Sequence, residues 1–138
     1  MADRPTIPKE MMPALQGTIP ANITTCSLAG EPNTTELSQV YYVDDHHVAL
    51  SFQFFNKTIR NVRENPYVSV FLIHPTSWDN WQLALRFVRS ETSGPLFDDM
   101  DMKLEVIASM TGMKGIFKLR AADIYEVLSI ELVNDLRR

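Results

Sequence analysis

A small, mainly β fold with short helices attached is what this sequence predicts, and three observations carry the prediction. Polar and apolar residues alternate along strand-length stretches, most clearly in Trp81-Gln82-Leu83-Ala84-Leu85-Arg86-Phe87-Val88. The strand-like stretches follow one another without strict βαβ alternation, which favours antiparallel pairing and a small mixed barrel. Three short segments have helical spacing and recognisable stop signals. With 138 residues and no repeat, low-complexity tract or Gly/Ser linker, a single domain over 1–138 is expected, with 1–6 read as loose.

The elements follow in order. Ile7 to Gln16 carries Ile7, Met11, Met12 and Leu15 at helical spacing, and Gly17 supplies a stop. Thr18 to Leu28 alternates and is rich in β-branched residues, so it reads as a strand ending in the turn cluster Ala29-Gly30-Glu31-Pro32-Asn33. Gln39–Val43 and Val48–Phe52 read as a hairpin around the polar Asp44-Asp45-His46-His47. Phe55 to Asn65 places Phe55, Ile59 and Val62 on one helical face and stops before Pro66. Tyr67 to Ile73 reads as a buried strand, His74 to Asn80 as a loop, and Trp81 to Val88 as a half-buried strand. Pro95 opens a helix whose early turns hold Asp98, Asp99 and Asp101; it runs to about Met110 and stops at Gly112. Ile116 to Val133 forms one long strand or two, kinked at Ala121-Ala122-Asp123. The sum is about six strands and three short helices.

Composition narrows the function. The net charge of −4 argues against sequence-independent nucleic-acid binding, which needs clustered Lys and Arg. The single cysteine, Cys26, allows no intramolecular disulfide and fits a reducing compartment. The first residues have no apolar run behind them and no stretch approaches a bilayer span, so a cytoplasmic protein is the expectation.

The segment from Ser51 to Pro66 carries the chemistry. Asn56 is a good N-cap, yet Lys57 and Arg60 stand in the opening turn and Glu64 in the last. A helix macrodipole prefers the opposite order, and each misplaced exposed charge costs ~0.3–1 kcal/mol. A bound anion would reverse the sign of that cost. The free N–H groups of the first turn, the Thr58 hydroxyl and the Lys57 and Arg60 charges would converge on one phosphate. Charge order alone leaves a second reading open, in which the two bases only solvate a surface helix.

The stretch PNTTELSQVYYVDDHHVALSFQFFNKTIRNVRENPYVSVFLI, with its strand–turn–helix K-T-x-R-N-x-x-x-N-P, resembles the FMN-binding split-barrel superfamily in its pyridoxamine 5′-phosphate oxidase-related branch. The resemblance extends from the leading helix to the closing DIYEVLSIELV strand. It implies an antiparallel split β-barrel that binds FMN. The strand end Ser51, Phe52 and Gln53 would lie along the flavin. Lys57 matches the first of the family's two phosphate-binding bases, and Thr58 stands at the second, keeping a hydroxyl but losing a charge. Ser38 replaces an arginine of the R-x-V pattern, a loss for which Arg60 or Asn61 would compensate. Gln82 matches a glutamine that contacts the isoalloxazine from the neighbouring strand at the interface.

The resemblance further implies a homodimer with flavin at the subunit interface, and a flavin-dependent oxidoreductase of unknown small-molecule substrate. The alternative is a non-catalytic flavin or deazaflavin sensor module. Haem is disfavoured, because no histidine falls on a convincing pocket-facing strand. The oxidase's basic and aromatic C-terminal substrate segment has no counterpart in Glu131–Arg138, so oxidation of pyridoxamine phosphate itself is not expected. No triad or carboxylate pair suggests a catalytic acid–base residue; the flavin would supply the chemistry.

Other residues receive plainer readings. His46 and His47 read as a solvated turn and not a metal site. Cys26 reads as core, the Asp98–Asp101 acids as a helix start, and Met100, Met102, Met110 and Met113 as core or interface filler. Trp78 and Trp81 read as packing residues.

Overall fold

The computed structural model describes residues 4–37, 39–52, 56–110, 112 and 118–134. A 3₁₀ turn at Lys9–Met11 leads into α1 (Met12–Leu15). Regular α-helix covers less than the expected Ile7–Gln16. Pro13 sits within the first two positions of α1, where its missing N–H costs nothing, and Gly17 at φ 80° ends the turn. The predicted apolar spacing still holds, with Ile7, Met11 and Leu15 all buried.

The remaining elements are β1 (Ala21–Cys26), β2 (Pro32–Leu37), β3 (Val40–Asp44), β4 (His47–Phe52), α2 (Asn56–Glu64), β5 (Tyr67–Ile73), β6 (Asn80–Glu91), α3 (Pro95–Met110) and β7 (Ala121–Leu132). They form one seven-stranded sheet in the order β2-β1-β5-β6-β7-β4-β3, with every pair antiparallel. The sequence predicts about six strands, and β2 is the extra one. It opens on Pro32 and lies at the sheet edge, where a missing N–H is tolerated. β7 runs unbroken from Ala121, so Ala121-Ala122-Asp123 is the start of a strand and not a kink. β5 is half-buried and not fully buried. Val68, Val70 and Leu72 face inward, while Tyr67 is 58% exposed.

Strand alternation builds two cores. One side of the sheet turns Ile23, Leu50, Val70, Leu83, Leu85 and Tyr125 into the main core, closed by Met11 and Leu15. The intervening Ala49, Ala122 and Ile124 point the other way, where Met100 and Leu104 of α3 cover them. The outer side of α3 is apolar too, since Met102, Val106 and Met110, four residues apart, are all exposed. Met100 is therefore core filler as expected, while Met102 and Met110 lie at the surface. Met113 falls outside the described residues.

Candidate functional site

Of the predicted site residues, β4 carries Ser51 and Phe52, and α2 carries Lys57, Thr58, Arg60 and Asn61. Ser51 and Phe52 end β4 opposite Ala122 and Ala121 of β7, and α2 begins at Asn56. Gln53 and Ser38 lie outside the described residues. Buried Ser51 lines a small cavity with Gln39, Tyr41, Met100 and Leu104. An adjoining groove of about 300 Å³ shares Gln39 and Tyr41 and adds Met12, Gln16 and Lys103. The Lys103 ammonium lies 4.5 Å from the centre of the Tyr41 ring and donates to its hydroxyl at 3.2 Å.

No acid stands in the first turn of α2, so its N–H groups face no built-in carboxylate on their own helix. The four predicted residues of this helix divide by face. Lys57 and Arg60 are exposed, whereas Thr58 and Asn61 are buried at 4% and 6%. The buried pair is tied to the β1–β2 hairpin. Asn33 Nδ2 donates to Thr58 Oγ1 at 3.0 Å, and Asn61 Nδ2 donates to Thr25 Oγ1 at 3.1 Å. Thr58 accepts in its bond and keeps a hydroxyl proton to donate. Asn61 spends an amide proton inside the body and fixes the rotation of the helix.

Lys57 reaches across to the same hairpin, with Nζ 3.2 Å from Glu31 Oε1. Glu31, Asn33 and Thr25 carry no local sequence signal for this role. They lie 26, 25 and 36 residues from their partners, and only the β1–β2 pairing brings them to α2.

Gln82 sits elsewhere. Thr25 shares the inner face of β1 with Ile23, so Thr24 points outward, opposite Ser69 of β5. Gln82 Nε2 donates to Ser69 Oγ at 2.9 Å, which puts Gln82 on the outer face of the sheet. Within one chain Lys57 reaches the β1–β2 turn, and Gln82 lies on the outer face of the sheet against Ser69.

Asp123 was not anticipated. It is buried at the start of β7, accepts the Ser90 hydroxyl at 2.5 Å, and feels the nearby charge of Arg63 from the last turn of α2. Burial pushes its carboxyl above the ordinary range, and the Ser90 bond and Arg63 only partly offset that. Burial, with Asp123 alongside, likewise raises Tyr125, whose ring meets Phe87 edge-on.

His47 Nδ1 pairs with Asp44 Oδ1 at 2.8 Å, and His46 Nδ1 lies 3.0 Å from the Pro5 carbonyl. Among the described residues no group of three His, Cys, Asp or Glu could hold a metal. Cys26 ends β1, half-buried. Trp81 is core, and its indole N–H finds no partner among the described residues; Trp78 is 62% exposed, outside the packing role expected of it.

The architecture is that of the split-barrel proteins. The structure is similar to an FMN-binding protein from Syntrophomonas wolfei, with a TM-score of 0.75, 17% identity, and coverage of 94% of this chain and 89% of that one. It is also similar to an F420 reductase, with a TM-score of 0.65, 11% identity, and coverage of 91% and 98%. The heme storage protein HutZ from Vibrio cholerae aligns with a TM-score of 0.60, 12% identity, and coverage of 89% and 92%. No curated protein matches the sequence. The family model for pyridoxamine 5′-phosphate oxidase matches residues 7–128, and the chain belongs to that family.

Proposed function

We propose that this protein binds FMN through its phosphate at the N-terminus of α2 and acts as a flavin-dependent oxidoreductase on a small molecule. The observation that carries the reading is the opening turn of α2. It holds an exposed ammonium at Lys57, a hydroxyl proton at Thr58 and no acid, directly after the strand end of a family-matched barrel. That donor set suits a phosphate, which accepts charged hydrogen bonds from a lysine and from helix N–H groups. Arg60, exposed one turn on, adds positive field. Ser51 and the backbone of Phe52 would position the ring system beside the cavity that includes Gln39 and Tyr41.

The flavin, when bound, supplies the electron transfer, while the protein supplies binding, orientation and exclusion of water. The reading includes a homodimer with the flavin at the subunit interface, in which each site takes Lys57 from one subunit and Gln82 from the other. Twofold closure would give two equivalent sites. The exposed Met102, Val106 and Met110 stripe offers apolar surface for such a contact.

Equilibrium dialysis against FMN, followed by a screen of electron donors and acceptors, tests the reading. FMN retention with turnover supports it. Retention without turnover of any pair leaves a binding module, and no retention removes the flavin assignment.

A further inference from the structure

Glu31 belongs to no predicted ligand set, yet its carboxylate holds the ammonium on which phosphate recognition depends, with Oε1 3.2 Å from Lys57 Nζ. Its position is built. The turn that carries it is closed by Ser27 N–H to the Glu31 carbonyl at 3.0 Å and by Gly30 N–H to the Ser27 carbonyl at 3.0 Å. The Glu31 N–H also donates to Ser27 Oγ at 3.1 Å. Gly30 sits at φ 85°, a conformation that glycine adopts without strain. The helix is fastened to the same hairpin by Asn33–Thr58 and Asn61–Thr25. The backbone segments that carry the carboxylate and the ammonium are therefore fastened together, and the Glu31 backbone cannot drift from α2 without breaking these bonds.

We propose that Glu31 is a specificity-determining residue of the FMN site, an internal anion that competes with the ligand's phosphate for Lys57. The inference rests on the phosphate reading given above. A phosphate that engages Lys57 must share the ammonium with a carboxylate or displace it, and in either case sits close to a second negative charge. Glu31 therefore lowers the affinity for FMN while leaving riboflavin, which has no phosphate, untouched. It compresses the discrimination between the two and makes the bound nucleotide easier to release. Both side chains are more than half exposed, at 57% for Lys57 and 69% for Glu31, so the carboxylate has solvent to swing into when the phosphate arrives. That exposure also bounds the effect, because pairs of this kind contribute little.

The test is a double-mutant cycle on the intact protein. Dissociation constants for FMN and for riboflavin are measured for the parent, Glu31→Gln, Lys57→Ala and the double variant, with thermal melts of each. The expected result is that E31Q tightens FMN by about two- to fivefold, leaves riboflavin unchanged, and has a smaller effect on FMN once Lys57 is alanine. Unchanged or weaker FMN binding in E31Q, while K57A alone still loses FMN, overturns the competition and leaves the phosphate site standing. Equal tightening of FMN and riboflavin also overturns it, since the effect would not act through phosphate. If K57A binds FMN like the parent, the phosphate reading itself fails.

Discussion

Asn61 of α2 donates its side-chain amide to the hydroxyl of Thr25 on β1 at 3.1 Å, and both residues are buried. This bond sets which face of the helix meets the barrel and so which residues meet solvent. Replacing Asn61 with alanine should cost about 1–3 kcal/mol, because the Thr25 hydroxyl would lose its donor in a buried site. Urea denaturation of N61A reads this directly. A variant as stable as the parent would mean that the helix is held by other contacts.

Lys57 should behave in the opposite way. Its exposed pair with Glu31 contributes little to folding, so Lys57→Ala should leave the melting temperature nearly unchanged. Its FMN affinity should fall by roughly 1.5–3 kcal/mol if the charged hydrogen bond to phosphate is real. Calorimetry with FMN beside a thermal melt separates the two effects.

The composite site can be tested by complementation. Lys57→Ala and Gln82→Ala chains, each impaired as a pure preparation, should recover FMN binding when co-expressed, because a mixed dimer keeps one site with both residues intact. No recovery in verified mixed dimers would place both residues in the same subunit's site or remove Gln82 from it.

Asp123 gives the protein a pH signature. Burial raises its folded-state pKa above the ordinary value of 3.8, so its contribution to stability is complete below that value and is lost as pH rises through the folded-state pKa. Asp123→Asn removes the titration and keeps an acceptor for the Ser90 hydroxyl. Denaturation across a pH series should show the parent losing more stability than D123N from acid towards neutral pH. Parallel curves would show that the carboxylate ionises at no extra cost in the folded state.

Most of the fold is legible in the sequence because its signals are local. The alternation of β6, the Pro66 stop after α2, and Pro95 with Gly112 around α3 each lie within one element. β2 escapes because Pro32 and Asn33 look like a turn, and only the pairing with β1 makes them an edge strand. The site is legible by half. Lys57 and Arg60 face outward as an amphipathic helix requires, but nothing local shows that Thr58 and Asn61 turn toward the hairpin. The partners that turn them, Asn33 and Thr25, are chosen by strand register. Glu31 and Asp123 are invisible for the same reason, since one acts across the hairpin and the other is buried by strands far apart in sequence.

The central claim is that the first turn of α2 recognises a phosphate, and the most direct measurement is titration of the purified, flavin-free protein with FMN and with riboflavin. The account predicts clearly tighter binding of FMN, with an advantage that shrinks as salt is raised. Equal affinity for the two, or no binding of either, would contradict it.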